Sequence, residues 1–269
     1  MQKKDDWKEN TVYFVGAGPG DPELITVRGA RLLSRADVII YADSLVSDEL
    51  FSDTKPGVEI YKSSGMTLEE VVGKLEEALK SGKKAVRLHT GDPSVFGAIY
   101  EQIYLLKLRG IGAVVVPGVS SVFAAAAAVE AELTIPELSQ TVILTRTEGR
   151  TPVPEYESLR SLAAHRCTLA IFLSATLAEK VSAELLAAGW QKSTPVVVVY
   201  KASWPDQKII RTTVENLAAA LAENGIKSQT MILAGPALDA MNEETFRRSK
   251  LYDGGFAHQF RGIQKSDVT

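Results

Sequence analysis

The chain has 269 residues, of which 45% are hydrophobic and 23% charged, and a formal net charge of −3. That length holds one large core or two smaller ones, and we expect two. The charge balance gives no overall attraction to nucleic acid, and no stretch reaches the ~18 uncharged apolar residues of a spanning helix, so neither nucleic acid nor membrane is an expected partner. The single cysteine, Cys167, cannot form an intrachain disulfide. It sits in the apolar run "CTLAIFL", which predicts a buried structural thiol in a reducing cytoplasm. The opening "MQKKDDWKEN" lacks the apolar core of a signal peptide and reads as a frayed tail.

In chain order, short apolar runs alternate with segments of helical period. "TVYFVG" (11–16), "DVIIYA" (37–42), "KAVRLHTG" (84–91) and "AVVVPG" (113–118) predict strands. "ELITVRGARLLSRA" (23–36), "TLEEVVGKLEEALKSG" (67–82) and "AIYEQIYLLKLRG" (98–110) predict the helices that join them. Such a βαβ series predicts a mostly parallel sheet covered on both faces, with its unusual loops "GAGPGD", "YADS", "HTGDPSVFG" and "PGVSS" at the carboxyl ends of strands. An alanine-rich helix follows Pro117-Gly118, and a domain boundary is expected near 118–120. Beyond it, "QTVILTR" (140–146), "CTLAIFLS" (167–174), "TPVVVVYKAS" (194–203), "KIIRTTV" (208–214) and "QTMILAG" (229–235) predict strands. Helices are expected around 159–165, 175–189 and 214–225. Strands that follow one another without a crossover helix, as from 195 to 214, predict antiparallel pairing, hence a mixed sheet. The expected architecture is two α/β domains, residues 1–118 and 119–250, with a tail at 251–269 and a small-molecule cleft between the domains.

The stretch from Val12 to Leu33 has the strand, glycine turn and helix of a nucleotide loop, but not its fingerprint. Three positions after Gly18 stands Asp21, a carboxylate where a phosphate would approach, and Pro19 removes a backbone donor. Asp21 before Pro22 also reads as a helix N-cap with proline at the first helical position. His89, His165 and His258 lie far apart without metal-ligand spacing, and no Gly-x-Ser-x-Gly elbow is present, so neither a metal site nor a serine nucleophile is expected. Such a rim suits chemistry that a cofactor carries and the protein orients.

In order, "VGAGPGDPELIT", "YADSLVS", "HTGDPSVFG", "VVPGVSSVFAAAA" and "LTRTEGRTPVPE" resemble the tetrapyrrole (corrin/porphyrin) methyltransferases. "YADSLVS", "ELTIPELSQTVILTRTEGRTPVPE" and the tail "SKLYDGGFAHQFR" are similar to the branch of that family that acts at C11 of a cobalamin precursor. The resemblance implies a homodimeric, S-adenosyl-L-methionine-dependent C-methyltransferase with a cofactor cleft between its two α/β domains. It implies Pro19, Thr90, Gly91, Asp92 and Val95 as cofactor neighbours from the first half, and Leu173 and Ala202 from the second. Asp92 is also readable as the start of an Asp-Pro turn. Ser120 and Ser121 open a helix, where capping and cofactor contact are both open. Asp43 and Lys62 match an acid/base pair of related enzymes, Asp43 as base and Lys62 as its counterpart. The substrate class is strongly anionic and calls for a local basic rim, for which Arg146 and Arg150 are the candidates, with Thr145 and Thr147 as further donors. Tyr252, His258 and Arg261 in the tail are read as part of a lid or dimer contact.

Overall fold

Why "VYFV" is apolar at every position follows from where it lies. The structure, a computed structural model, describes residues 7–239 together with Ser249, Phe256, Ala257, Gln259 and Gly262. Tyr252, His258 and Arg261 lie outside the described residues. Strand β1 (Thr11–Gly16) runs inside a five-stranded sheet with β2 (Val38–Tyr41), β3 (Glu59–Lys62), β4 (Ala85–His89) and β5 (Gly112–Val116). The order is β3-β2-β4-β1-β5 and every pairing is parallel. Successive side chains therefore enter opposite cores. Val12 and Phe14 pack with Val38, Ile40, Val72, Leu75 and Leu106, whereas Tyr13 and Val15 pack with Leu32, Ile39, Val86, Leu88 and Val116.

Helices α1 (Val27–Leu33), α2 (Leu68–Lys80) and α3 (Ile99–Leu108) supply the crossovers. Thr26 caps α1 by accepting from the Gly29 N–H, and Thr67 and Glu70 form a reciprocal capping box on α2. Strand β3 was not among the predicted strands. Its four residues, "EIYK", alternate between half-buried and exposed at the sheet edge, so it carries no continuous apolar run. An all-parallel sheet puts every strand's carboxyl end on one rim, which here carries residues 17–21, 42–47, 63–66, 90–97 and 117–120.

The second sheet has the order β6-β7-β10-β8-β9, built from β6 (Val142–Arg146), β7 (Thr168–Phe172), β8 (Pro195–Tyr200), β9 (Lys208–Thr213) and β10 (Thr230–Ala234). Strands β6 and β7 pair in parallel through the crossover α5 (Leu159–Ala163), and the other pairings are antiparallel, including β8 with β9 as expected. Helices α5, α6 (Ala178–Ala187) and α7 (Leu217–Glu223) cover one face, with Leu159, Val181, Leu185, Leu217 and Leu221 against Leu169, Ile171, Val196, Val198 and Ile232. The alanine-rich segment is α4 (Ser121–Ala128). Cys167 is buried and unpaired, and burial pushes its thiol pKa up. By contacts the chain forms two units. One ends at Ala124 and takes in Lys201–Asp206, and the other runs from Ala125 to Tyr200 and resumes at Gln207. Among the described residues no helix is long and apolar enough to cross a membrane.

Asp37 joins three strands at the amino-terminal edge of the first sheet. Its N–H donates to the Lys84 carbonyl (2.8 Å), its carbonyl accepts from the Glu59 N–H (2.9 Å), and its carboxylate accepts from the Lys84 N–H (2.7 Å) and pairs with Lys55. Burial raises its pKa, but the Lys55 pairing and the Lys84 N–H outweigh that and hold it below the usual carboxylate range. A depressed carboxyl pKa adds stability above the unfolded value that is lost as pH falls through the folded one. Asp37→Ala should therefore cost about 2 kcal/mol in urea unfolding at pH 7, typical of hydrogen bonds to a charged group, and the deficit should shrink below about pH 4.

Candidate active site

Three glycines on the first rim touch through their backbones. A Cβ on Gly16 would lie 2.5 Å from the Gly118 Cα and 2.6 Å from the Gly91 carbonyl oxygen, and one on Gly118 would strike the same oxygen. Gly18 and Gly91 exchange hydrogen bonds, N–H of Gly91 to the Gly18 carbonyl (2.8 Å) and the reverse (3.3 Å), with both residues at positive φ. The Ala17 N–H donates to the His89 carbonyl (2.7 Å) and the Asp21 N–H to Ser203 Oγ (3.0 Å). With Pro19 lacking a donor, these bonds use the N–H groups that a phosphate loop would aim at its ligand. The glycines thus let loops approach one another, and "GAGPGD" forms a buried wall.

Asp92 has both carboxylate oxygens on backbone donors, Oδ1 on Ser94 N–H (2.8 Å) and Oδ2 on Gly118 N–H (2.9 Å). It opens the turn before Ser94 and ties this loop to the next strand's exit. Gly91 lies against the start of α4, where a Cβ would sit 3.6 Å from Ser120 Cα and 3.8 Å from Ser121 N. Half-buried Val95 donates its N–H to the Asp92 carbonyl (3.2 Å), and Thr90 is half-buried beside Gly91. Pro19 is buried, and its carbonyl accepts from the Trp204 indole N–H (3.0 Å), two residues beyond buried Ala202. The structure thus brings Pro19 to the turn that carries Ala202, and Gly91 and Asp92 to Gly118, Ser120 and Ser121. Asp21 caps the turn that follows, its Oδ1 accepting from Glu23 N–H (2.8 Å).

On the same rim, Asp43 accepts from the Ser64 N–H (3.2 Å) and hydroxyl (3.0 Å). Desolvation raises its pKa, but backbone and Ser64 hydrogen bonds and the Lys62 charge more than compensate, so Asp43 stays below the usual carboxylate range. Lys62, exposed at the end of β3, acts on Asp43 through its charge, whereas the bonds come from Ser64. Ser64 was not among the predicted residues; a serine two positions past an edge strand carries no signal of its own.

The second unit holds the remaining candidates on a rim of its own. Arg146 pairs with Phe172 in register at the end of β7, one residue before Leu173. Leu173 is 70% exposed and has a left-handed φ of 51°, a backbone strain of about 1–3 kcal/mol that such sites often hold. Arg146 donates to the carbonyls of Thr151 (3.2 Å) and Pro152 (2.7 Å), so two of its nitrogens brace its own loop. The loop is also pinned by Thr147 N–H on Ser174 Oγ (2.9 Å) and by Lys180 on the Glu148 carbonyl (3.0 Å). Arg150 is exposed within it. Of the further donors expected there, Thr145 and Thr147 are buried, and the hydroxyls of Thr147 and Thr230 are buried without a partner.

A family model described as Tetrapyrrole (Corrin/Porphyrin) Methylases matches residues 11–218. The chain belongs to the tetrapyrrole (corrin/porphyrin) methylases. A cobalt-precorrin-4 C(11)-methyltransferase of Priestia megaterium is 60% identical over 256 residues, 95% of this chain and 99% of that one. A solved cobalt precorrin-4 methyltransferase is 62% identical with a TM-score of 0.84, covering 86% of this chain and 96% of its own. The uroporphyrin-III C-methyl transferase from Thermus thermophilus, complexed with S-adenyl homocysteine, is 29% identical with a TM-score of 0.73, over 87% of this chain and 95% of that one. The fold of this methylase agrees with the expected pair of α/β domains, one sheet parallel and one mixed.

Two buried polar residues of the first sheet were not singled out for this site. Arg87 donates to Gln102 Oε1 (3.1 Å) and to the carbonyls of Ile40 (3.1 Å) and Leu88 (3.3 Å), and burial brings its pKa down to about 10. His89 stacks on Phe14, its Nε2 is buried without a partner, and burial followed by the Arg87 charge lowers its pKa from 6.5 to about 3. Between those values the unfolded chain binds a proton that the folded chain refuses, so stability falls as pH falls. From pH 7 to pH 5 the loss from this one group should be about 2 kcal/mol. Urea unfolding of His89→Leu at the two pH values should show that part of the slope removed.

Proposed function

We propose that this methylase transfers a methyl group from S-adenosyl-L-methionine to C11 of cobalt-precorrin-4 in cobalamin biosynthesis. The observation that carries the reading is the 60% identity to a cobalt-precorrin-4 C(11)-methyltransferase along nearly the full length of both chains. The cofactor class is supported by the Thermus thermophilus relative in complex with S-adenyl homocysteine.

The rim fits such a cofactor better than a nucleotide phosphate. In its glycine loop the N–H groups of Ala17, Gly18 and Asp21 are already bonded within the protein, while the start of α4 offers Ser120, Ser121 and leading N–H groups suited to a carboxylate. Pro19, Thr90, Gly91, Asp92, Val95, Ser120, Ser121 and Ala202 are the residues proposed to hold it, with Leu173 on the adenine side. When bound, S-adenosyl-L-methionine supplies an electrophilic methyl on a sulfonium. The protein's main task is then to align the acceptor carbon with that methyl, the effect of proximity and orientation. As the new C–C bond forms and the S–C bond breaks, the acceptor gains positive charge and sheds a proton. Asp43, held ionised by Ser64 and Lys62, faces that charge as base or counter-ion. Arg150 is proposed to take a substrate carboxylate, while Arg146 both braces the loop and adds positive charge.

The deciding experiment is product formation from cobalt-precorrin-4, precorrin-4 and uroporphyrinogen III, each with S-adenosyl-L-methionine. The cobalt form should turn over fastest with mass gain of one methyl at C11. Turnover of uroporphyrinogen III alone would overturn the C11 reading, and binding without S-adenosylhomocysteine release would mark a carrier. Asp43→Asn should lower kcat by roughly 10²-fold or more, the range of general-base loss, whereas Arg150→Ala should raise the tetrapyrrole KM with kcat nearly unchanged.

A homodimer is the proposed assembly, and the cytoplasm the proposed compartment. Tyr100, Tyr104 and Leu108 are exposed at four-residue spacing on α3, an apolar stripe suited to a second copy of this chain. Light scattering should give twice the chain mass for the wild type, and the monomer mass for Tyr104→Glu.

A further inference from the structure

We infer that Trp204 is a positioning residue for the cofactor, acting through Pro19. The inference rests on the methyltransferase reading. Trp204 belongs to the turn Lys201–Asp206 that joins β8 to β9 and packs within the first unit. That turn is locally rigid. Lys201 and Ser203 have left-handed φ values of 47° and 69°, the Trp204 N–H donates to the Lys201 carbonyl (3.0 Å), and Lys201 pairs with Asp206 (2.6 Å).

The turn meets the glycine wall at three successive residues. The Trp204 indole N–H bonds the Pro19 carbonyl, Ser203 Oγ accepts from the Asp21 N–H (3.0 Å), and a Cβ on Gly20 would stand only 2.1 Å from the indole Nε1. Gly18 is already fixed to Gly91, and Asp21 to Ser203. Between them lies the Pro19–Gly20 peptide, and glycine gives that peptide more rotational freedom than any other residue would. The indole removes this freedom by bonding the carbonyl and by packing where a side chain would stand. The same contacts set Ala202 and Pro19, both in the proposed cofactor set, at a fixed separation although Trp204 and Pro19 are 185 residues apart in sequence. A peptide locked before the ligand arrives costs less to order on binding, so the latch should act on cofactor affinity and leave the acceptor's affinity alone.

The test is calorimetric titration of the full chain with S-adenosylhomocysteine, with steady-state kinetics and thermal midpoints for each variant. Trp204→Phe keeps the ring and removes the donor. It should weaken S-adenosylhomocysteine binding roughly tenfold and raise the S-adenosylmethionine KM, with kcat and tetrapyrrole KM unchanged and the thermal midpoint lower by only a few degrees, the loss of about one hydrogen bond from the free protein. Gly20→Ala should reproduce that loss by displacing the indole, and should add nothing in a Trp204→Ala background, because both changes break one contact. Affinity of Trp204→Phe within about twofold of wild type, or losses that multiply in the double variant, would overturn the latch while leaving the methyltransferase reading in place. If the wild type itself fails to bind S-adenosylhomocysteine, the methyltransferase reading falls first and the latch falls with it.

Discussion

Backbone packed directly on backbone at Gly16, Gly91 and Gly118 is the constraint on which the first unit's rim depends. Strands β1, β4 and β5 are neighbours in the sheet, so their exits leave side by side at the spacing of hydrogen-bonded strands. At that spacing there is no room for side chains between the loops, and a Cβ on Gly16 or Gly118 would overlap its neighbour's backbone. Close approach in turn allows the Gly18–Gly91 pair of hydrogen bonds and the Asp92 bond to Gly118 N–H. Asp92 thereby works first as a loop tie, and any interaction with a cationic ligand uses the lone pairs that remain.

Charge near this rim is set by local partners and by burial. Asp43 is kept ionised by Ser64 and by Lys62, while His89 is kept neutral by burial and by the nearby Arg87. Arg87 keeps a charge at neutral pH with carbonyls and Gln102 as its partners. The cost of burying it is borne by the surrounding apolar core, where Val12, Phe14, Ile40 and Leu106 are fully enclosed.

The second unit follows a different logic. Its rim is made rigid by bonds from side chains to loop carbonyls, as with Arg146 on Thr151 and Pro152 and Lys180 on Glu148. The loop "TEGRTPVPE" needs these ties because it has no strand of its own to pair with. Leu173 is exposed and has a left-handed backbone, the reverse of what an apolar side chain adopts for stability alone.

Much of this was legible in the sequence by itself. Strands β1 and β2 are apolar almost throughout because both their faces are buried, and β4 and β5 keep shorter apolar runs around Arg87 and His89 and after the exposed Gly112, so these strands and the helices between them could be read from composition and period, as could the mixed second sheet from strands lacking crossovers. The same reading gave the Asp21 cap and the failure of the phosphate fingerprint, because both depend on neighbours in the chain. Edge strand β3 was hidden, since one exposed edge and a half-buried face leave no apolar run in "EIYK". Tertiary structure alone decided the partners: Ser64 on Asp43, the Arg146 guanidinium on its own loop, and Trp204 on Pro19. Each of these is a hydrogen bond whose energy depends on distance and direction across a turn or between distant segments, and a linear pattern of residue types carries neither.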